Sequence, residues 1–319
     1  MKLLITCVPM ILRLEQYEEE LAKYEVTVPQ FTQTMSEENL IDIIGEYDAW
    51  IAGDDPVTRK VLLAAKKLKS LVKWGIGIDN VDLQAVQDLD IPFTNTPGMF
   101  GNEVADVAIG YLIALTRKLY NIHTQVRKGN WYKPAGISLE GKRVALIGFG
   151  DIGRNIADRL LSLKTDVHVY DPGFIASEEG PKCIYADMKI GKRFQEVTIE
   201  NSLEDTLAQS RILILACAAN RDNHHLLNAK SIELLADDCY IVNVSRGSLV
   251  SEEAVLKALD IGKINSFATD VFEEEPVSNS KFMNLENVIL GSHNSSNTKE
   301  AVDKTSLKAL KILHLALEK

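Results

Sequence analysis

The chain has 319 residues, of which 46% are hydrophobic and 25% are charged, and its formal net charge is −10 at pH 7. This length favours two domains, and this composition is typical of a soluble globular protein. The excess of acidic residues argues against nucleic acid as a partner, although a local basic group can still bind an acidic substrate. No apolar run reaches the roughly 18 residues of a membrane-spanning helix, so we expect no membrane association.

The N-terminal stretch predicts a buried strand rather than a secretion signal. It is apolar over residues 2–8 but lacks the basic segment and the small-residue cleavage site of a signal peptide. The cysteines are scattered, with neither a disulfide framework nor metal-ligand spacing, at Cys7, Cys183, Cys217 and Cys239. We therefore expect a reducing, cytoplasmic compartment and no metal site.

Apolar, strand-like segments alternate with helical patterns along most of the chain. Such alternation is typical of an α/β protein with parallel sheets, and several segments are apolar on both faces, as strands between two helix layers must be. The predicted strands are KLLITCV, AWIAG, LKSLVKWG, RVALIGFG, DVHVYD, RILILAC, CYIVNVS, INSFATDVF and NVILGS.

Two segments rich in turn-forming residues divide this pattern. Pro97, Gly98 and Gly101 precede a long helix whose residues 104–115 are apolar nearly all round, which indicates burial on more than one side and a subunit interface. The segment GSHNSSNT precedes a last helix over 299–317, which we expect to return to the N-terminal part of the chain.

The segment RVALIGFGDIGRNIADRL carries a dinucleotide-binding pattern. Gly148, Gly150 and Gly153 directly follow an apolar strand and open a helix, which is the context that this pattern requires. Gly148 permits the tight turn, Gly150 lets a pyrophosphate approach the backbone, and Gly153 lets the helix pack against the strand. The N–H groups of Asp151 and Ile152 would then face the phosphate, at the positive end of the helix dipole.

The strand after this helix ends at Asp171, which indicates the choice of cofactor. A carboxylate at this position accepts hydrogen bonds from the adenosine ribose and repels a 2′-phosphate. Pro172 and Gly173 follow, with no nearby Arg or Lys, so we expect NAD rather than NADP. The alternative is a βαβ unit whose glycines are structural and whose Asp171 caps a helix.

Three further strand ends carry polar side chains. Arg246 follows CYIVNVS, His293 follows NVILGS, and INSFAT leads into an acidic turn. The carboxylates of the turn are Asp270, Glu273, Glu274 and Glu275. Because the carboxyl ends of parallel strands meet at the ligand crevice, arginine, carboxylate and histidine should converge on the cofactor. Arginine binds a carboxylate, and histidine oriented by a carboxylate exchanges a hydroxyl proton, which predicts hydride transfer to or from a 2-hydroxy acid.

Taken together, the motifs resemble the D-isomer-specific 2-hydroxyacid dehydrogenase family, which includes D-3-phosphoglycerate, D-lactate and glyoxylate/hydroxypyruvate enzymes. The matching segments are KWGIGIDNVD, TNTPG, GFGDIG, NVSRGSLV, DVFEEEP and GSH, and they span nearly the whole chain in the family's order. The resemblance implies an NAD-dependent oxidoreductase that interconverts a D-2-hydroxy acid and a 2-keto acid, with D-3-phosphoglycerate as one possible substrate.

The resemblance also implies an architecture. It predicts two Rossmann-like, doubly wound domains with parallel sheets. A discontinuous substrate domain would comprise residues 1–95 and 292–319, and an NAD-binding domain would comprise residues 96–291. The family is usually dimeric through the nucleotide-binding domain, so we expect a homodimer.

Individual roles follow from the same resemblance. Glu275, which stands directly before a proline, is the expected catalytic carboxylate, with His293 as its partner and Arg246 as the substrate arginine. Asp270 would accept a hydrogen bond from the nicotinamide carboxamide, whereas the other two glutamates of the turn would be solvated neighbours. Further cofactor contacts are expected at Cys217, Val244 and Ser245. The backbone of Gly75, Ile76 and Gly77 would bind the substrate carboxylate.

The chain departs from the family near the expected substrate. Ser295 and Ser296 replace the glycines that usually follow the catalytic histidine, and Glu103 and Asp106 stand in a stretch where a small residue and a glutamate are usual. Where phosphoglycerate enzymes commonly place an arginine for the phosphate, this chain has Asp54 and Asp55. The nearest cations are then Lys73 and Arg59. The long segment 174–201 is expected to contain a hairpin that turns at Gly191.

Two other functions fit parts of the pattern. An NAD(H)-sensing corepressor on the same fold can retain the same three polar residues with little turnover. A formate dehydrogenase is disfavoured, because that enzyme pairs its histidine with an amide and this chain has Glu275 at the matching position.

Overall fold

The structure is a computed structural model that describes residues 1–30, 34–177, 181–184, 192–278 and 280–318. The chain divides into two compact units. The first unit is formed by Met1–Met99 and Asn297–Lys319, and the second by Phe100–Ser296. Each unit contains its own parallel sheet with helices between the strands, so the predicted α/β class is confirmed.

The described α-helices are α1 Val8–Ile11, α2 Glu18–Leu21, α3 Glu37–Ile44, α4 Arg59–Ala64, α5 Leu83–Asp88, α6 Gly101–Thr116, α7 Leu119–Arg127, α8 Asp151–Ser162, α9 Leu203–Leu207, α10 Ala229–Leu234, α11 Glu252–Asp260 and α12 Lys299–Leu317. Short 3-10 helices cover Leu14–Tyr17, Lys192–Glu196, Gly247–Leu249 and Lys281–Asn284. In the described part of the chain, none of the helices is both long and apolar enough to cross a membrane.

The sheet of the first unit has five parallel strands. They are β1 Lys2–Ile5, β2 Glu25–Thr27, β3 Ala49–Ala52, β4 Ser70–Lys73 and β5 Phe93–Asn95. Their order across the sheet is β2-β1-β3-β4-β5, a common doubly wound arrangement. All residues of β3 and β4 are buried, as expected for central strands covered on both faces.

The C-terminal helix α12 belongs to the first unit. The indole N–H of Trp74 donates a hydrogen bond to Ser306 of α12 at 3.1 Å. Arg13 forms two hydrogen bonds to the carboxylate of Asp303, at 2.8 and 2.6 Å, and Tyr17 donates a third at 2.7 Å. These contacts fix the last helix against the N-terminal segment.

The sheet of the second unit has seven parallel strands. The strands described in this unit are β6 Arg143–Ile147, β7 Asp166–Tyr170, β8 Phe174–Ile175, β9 Lys182–Cys183, β10 Thr198–Ile199, β11 Ile212–Leu215, β12 Cys239–Asn243, β13 Ile264–Thr269 and β14 Val288–Leu290. The sheet order is β10-β7-β6-β11-β12-β13-β14, while β8 and β9 form a separate antiparallel pair. The strand order reverses between β6 and β11, where doubly wound sheets bind their ligands.

All nine predicted strands are present, whereas the short strands β2, β5, β8, β9 and β10 were not predicted. The predicted hairpin turn at Gly191 lies outside the described residues. The long apolar helix is α6, and its buried face includes Val104, Ala108 and Leu112. Asp106 and Gly110 are exposed, so α6 is less completely buried within its own unit than its sequence indicates.

Candidate active site

The glycine-rich turn between β6 and α8 has the backbone geometry that a dinucleotide requires. Gly148 has a φ of +99°, in a region that favours glycine, and a Cβ there would lie 2.6 Å from the backbone nitrogen of Cys217. A Cβ on Gly153 would lie 2.0 Å from the carbonyl oxygen of Gly148. At Gly150 a Cβ would meet nothing within 4 Å, so there is open space for a ligand. Helix α8 starts at Asp151, which places its first unbonded N–H groups, including that of Ile152, at this space.

Asp171 lies directly after β7, beside the glycine turn. One carboxylate oxygen accepts the N–H of Phe149 at 2.6 Å, and the other accepts the N–H of Gly173 at 2.8 Å. These bonds fix the carboxylate while its remaining lone pairs can still accept ribose hydroxyl groups. The donors and the open space together fit the adenosine and pyrophosphate of NAD.

The ends of β11 and β12 are joined by Ser245. Its hydroxyl donates to the carbonyl oxygen of Cys217, and its N–H donates to Asn243 at 3.1 Å. Val244 is buried, and burial raises the pKa of the Cys217 thiol to about 11, so that this thiol stays neutral. These three predicted cofactor residues therefore form one ordered strand edge.

The residues that follow β12, β13 and β14 lie at the same edge of the sheet. The three strands are neighbours, and Asn243, Thr269 and Leu290 stand in register near their carboxyl ends. Arg246 lies three residues after Asn243, and His293 lies three residues after Leu290. The fold therefore places the predicted catalytic residues at the carboxyl edge of one parallel sheet, within one unit.

His293 and Glu275 are in direct contact. The Nδ1 atom of His293 lies 2.7 Å from a carboxylate oxygen of Glu275, and the other oxygen accepts the N–H of Phe272 at 2.8 Å. The N–H of His293 donates to the carbonyl oxygen of Asp270 at 2.6 Å. An ionised carboxylate favours a proton on Nδ1, which in neutral imidazole leaves Nε2 as the proton acceptor. The side chain of His293 is 40% exposed and that of Glu275 is 34% exposed, so both are accessible to a ligand.

Arg246 is partly buried directly before the 3-10 helix that follows β12. One guanidinium nitrogen donates to the carbonyl oxygen of Ser245 at 2.9 Å, and the carbonyl oxygen of Arg246 accepts from Asn243 at 3.0 Å. A Cβ on Gly247 would lie 1.9 Å from the carbonyl carbon of Phe272, so the segment after Arg246 packs against the loop that leads to Glu275.

Asp270 is almost fully buried and has partners on both oxygens. Ser295 donates its N–H at 2.8 Å and its hydroxyl at 2.5 Å to one oxygen, and Tyr111 donates to the other at 3.3 Å. Burial, together with the Asp270 charge, raises the pKa of Tyr111, which keeps its hydroxyl protonated. The sequence singled out Asp270 and Ser295 separately, but it predicted no contact of Asp270 with Ser295 or Tyr111.

The structure adds contacts at the residues next to this constellation. Glu273 contacts the Nε2 atom of His225, so it is not simply a solvated carboxylate. Ser295 is buried against Asp270 and does not line an open surface, whereas Ser296 is partly exposed. Glu103 lies in the first turn of α6 and is partly exposed.

The Gly75–Gly77 loop lies in the first unit, directly after β4 and Trp74. Gly75 has a φ of +116°, and its N–H and carbonyl oxygen both bond to Thr96, at 2.8 and 3.0 Å. Asn95 donates to the carbonyl oxygen of Ile76 at 2.8 Å. Within the described part of the chain, the N–H groups of Ile76 and Gly77 have no acceptor, so they can bind an anion.

The two cations that the sequence offered for a phosphate are already paired. Lys73 is buried, and its ammonium lies 3.1 Å from Asp54 and 2.9 Å from the carbonyl oxygen of Trp74. Arg59 lies on the exposed side of α4, 2.5 Å from Asp88 and 3.9 Å from Asp82.

Comparison with known proteins identifies a family model and relatives that are similar to this chain. Residues 109–295 match the model of the D-isomer specific 2-hydroxyacid dehydrogenase, NAD binding domain. A hydroxypyruvate reductase of Thermotoga maritima is 30% identical over 284 residues, which cover 87% of this chain and 87% of that protein. A D-3-phosphoglycerate dehydrogenase of Methanocaldococcus jannaschii is 29% identical over 280 residues, which cover 87% of this chain and 51% of that protein.

A solved structure is similar to this chain over its whole length. A glyoxylate reductase from Paecilomyes thermophila superposes with a TM-score of 0.83 and 27% sequence identity, covering 100% of this chain and 95% of that one. These relatives are described as enzymes, and they lend no support to the corepressor alternative. Because the family model covers more than half of the chain, the protein belongs to the D-isomer specific 2-hydroxyacid dehydrogenases and is an NAD-dependent oxidoreductase.

Proposed function

We propose that this enzyme uses NADH to reduce a small, unphosphorylated 2-keto acid, of the hydroxypyruvate or glyoxylate type, to the D-2-hydroxy acid. The observation that carries the choice of substrate is the ion pair between Lys73 and Asp54 at 3.1 Å. Relatives described as hydroxypyruvate and glyoxylate reductases support the same choice, because the match covers 87% and 78% of their own lengths, whereas it covers 51% of the D-3-phosphoglycerate dehydrogenase.

The charge around Lys73 disfavours a phosphorylated substrate. A phosphate dianion binds best to cations that keep free hydrogen-bond donors for it. Lys73 gives one donor to Asp54 and one to a backbone carbonyl, and its positive charge is balanced by the carboxylate. Reduction of 3-phosphohydroxypyruvate, the reverse of D-3-phosphoglycerate oxidation, is therefore the less favoured alternative.

The residues at the carboxyl edge of the second sheet suit this reduction. When bound, NADH supplies the hydride that adds to the carbonyl carbon. Arg246 would bind the substrate carboxylate and the carbonyl oxygen through its planar fork. Protonated His293 would donate its Nε2 proton to that oxygen, and Glu275 would hold the ring in place and stabilise its positive charge. Asp270 would orient the nicotinamide carboxamide.

A substrate panel tests this proposal. The rate of NADH oxidation is measured with hydroxypyruvate, glyoxylate, pyruvate and 3-phosphohydroxypyruvate. We expect the highest kcat/KM for one of the first two acids and the lowest for the phosphorylated one. A kcat/KM for 3-phosphohydroxypyruvate above that of hydroxypyruvate would overturn the proposed substrate class.

A single substitution tests the structural reason. Asp54→Ala removes the carboxylate that balances Lys73, so the phosphorylated acid should gain in kcat/KM relative to hydroxypyruvate by about tenfold, or roughly 1.4 kcal/mol. Asp42→Ala, which removes an exposed carboxylate of α3, is the matched control and should leave the ratio unchanged. An unchanged ratio in both variants would remove the Lys73–Asp54 pair from substrate selection.

We further propose that the enzyme is a homodimer through its NAD-binding unit. Helix α7 has no buried residue, and the apolar side chains near it are exposed, with Trp131 at 83% and Tyr120 at 59%. Trp131→Glu should produce a monomer in light scattering. Ile261→Glu, an equally drastic change at another exposed position of the same unit, should leave the dimer intact.

The four cysteines are free, which supports a reducing, cytoplasmic compartment as part of the proposal.

A further inference from the structure

The loop after β11 and the acidic turn after β13 bring together two histidines and a glutamate. We propose that His224, His225 and Glu273 form a binding site for one divalent transition metal ion of the Zn²⁺ type. Each residue offers one ligand atom, and these atoms all lie within 4.8 Å of one another. Two imidazole nitrogens and one carboxylate oxygen are a ligand set that Zn²⁺ prefers, with further positions left for water.

The histidine pair has an unusual geometry for adjacent residues. Successive side chains of an extended segment point in opposite directions. Here the His225 backbone has a φ of +50°, and the rings of His224 and His225 lie with their centroids 3.9 Å apart and their planes tilted by 33°. A left-handed conformation at a residue other than glycine costs about 1 kcal/mol or more and persists where the surroundings impose it. Both rings therefore face one side, towards Glu273.

Hydrogen bonds within the loop hold this arrangement. Asn220 and Asn223 bond to each other's backbone N–H groups, at 2.7 and 3.1 Å. The N–H of His225 donates to the carbonyl oxygen of Ser248 at 2.8 Å, and its carbonyl oxygen accepts from Asn228 at 2.9 Å. Little conformational entropy would be lost on binding, since these bonds already order the loop.

The surrounding charge also favours a cation. Glu252 at the start of α11 is partly buried, and its carboxylate lies near that of Glu273, so a divalent cation at Glu273 would be attracted by both negative charges. His225 Nε2 and the Glu273 carboxylate are in direct contact, so two of the three proposed ligand atoms already face each other.

The site would act on the catalytic loop. Glu273 precedes Glu275 by two residues in the same turn. The N–H of Phe272, directly before Glu273, donates a hydrogen bond to the Glu275 carboxylate. A metal ion that fixes Glu273 would therefore limit the movement of the segment that orients His293. Neither histidine of the metal site follows from the sequence pattern, because a motif of two adjacent histidines is uninformative without the fold.

The experiment is a calorimetric titration of Zn²⁺ into the chelator-treated, untagged protein. We expect one ion per chain for the natural sequence. Glu273→Gln and His224→Ala should each raise the Kd by about tenfold or more, since even residues that only support a ligand change metal affinity by that much. Glu274→Gln, a neighbouring exposed carboxylate, and His123→Asn, on the surface of α7, should bind Zn²⁺ like the natural protein.

Two further measurements make the assignment decisive. The Glu275→Gln variant should still bind the ion. If this variant, in which Glu273 is intact, fails to bind Zn²⁺, the metal lies at the catalytic pair and the proposal is overturned. Co²⁺ in place of Zn²⁺ should show visible bands without a thiolate charge-transfer band, since no cysteine belongs to the site. A thiolate band, absence of binding, or unchanged affinity in both Glu273→Gln and His224→Ala would each overturn it. Tryptophan fluorescence and NADH binding confirm that each variant is folded.

Discussion

Ser295 donates both its backbone N–H and its hydroxyl to the same carboxylate oxygen of Asp270, at 2.8 and 2.5 Å. Tyr111 donates to the second oxygen, and only 2% of Asp270 is exposed. The hydroxyl bond requires a side chain, so the glycine that the family resemblance leads us to expect at this position could not form it. This bond fixes the carboxylate that we propose to orient the nicotinamide.

Ser295→Ala should therefore weaken cofactor binding without abolishing turnover. A hydrogen bond to a charged group contributes about 1.5–3 kcal/mol, so loss of this bond should raise the KM for NADH by about tenfold or more. The KM for the keto acid should change little. Ser296→Ala removes a hydroxyl from the adjacent, partly exposed position and is the matched control. Equal KM values for NADH in the two variants would remove Ser295 from cofactor positioning.

Glu275→Gln should lower kcat because of the hydrogen bonds around this side chain. The N–H of Phe272 requires an oxygen as acceptor, so the amide would turn its NH₂ group towards Nδ1 of His293. Nδ1 of His293 must then accept a hydrogen bond from the amide, so the neutral ring carries its proton on Nε2. Protonated His293 loses the carboxylate that accepts its Nδ1 proton. We expect kcat to fall by about 10²- to 10⁴-fold in both directions. Steady-state kinetics measure this, with Glu274→Gln as the control. A kcat within a factor of two of the natural enzyme would exclude the pair from proton transfer.

Arg246→Lys should act on substrate binding rather than on NADH. Lysine keeps the charge but has no planar fork, so one of two charge-assisted hydrogen bonds to the substrate is lost. At about 1.5–3 kcal/mol for such a bond, kcat/KM for the keto acid should fall by about ten- to a hundredfold. The Kd for NADH, followed by its fluorescence, should stay the same. If the Kd for NADH rises as much as kcat/KM falls, Arg246 serves the cofactor instead.

Asp171→Ala should relax the preference for NAD over NADP. The substitution removes the negative charge that repels a 2′-phosphate, while it also frees the N–H groups of Phe149 and Gly173 for that phosphate. The ratio of kcat/KM with NADH to kcat/KM with NADPH should fall by about tenfold or more, or roughly 1.4 kcal/mol. Asp158→Ala, on the exposed side of α8, provides the control. A constant ratio would mean that Asp171 has only a structural role in the turn.

The long strands and the glycine turn could be predicted because local sequence determines them. Buried strands such as β11 and β12 are continuous apolar runs. Gly148 is favoured by its φ of +99°, and Gly153 is required by a close backbone contact within the same strand–turn–helix unit. The edge strands β2 and β10 were missed because they have three and two residues and lack an apolar run.

The contacts that refine the site could not be predicted, because they join residues that are distant in sequence. Ser295 lies 25 residues from Asp270, and His225 lies 48 residues from Glu273. The sequence offered Lys73 as a phosphate ligand, but only the neighbouring positions of β3 and β4 show that Asp54 balances its charge. Motifs thus indicate which residues stand at the sheet edge, and the fold decides which of them are already paired.

Acid should weaken the attachment of helix α12 to the first unit. Arg13 and, to a smaller extent, Tyr17 hold the pKa of Asp303 below its usual value through hydrogen bonds. A carboxyl whose pKa is lower in the folded state stabilises that state fully above its unfolded pKa, which is about 3.9. This stabilisation is lost as the pH falls from there through the folded pKa.

Asp303→Asn should therefore destabilise the first unit at pH 7, and the difference from the natural protein should shrink on acidification towards about pH 3. The measurement is the urea midpoint followed by tryptophan fluorescence, which reports mainly on the buried Trp50 and Trp74 of this unit, since Trp131 is exposed. Asp42→Asn, an exposed carboxylate of α3, should show no such difference at either pH. If the difference in urea midpoint between Asp303→Asn and the natural protein stays constant with pH, the Arg13–Asp303 charge pair is not the source of the stabilisation.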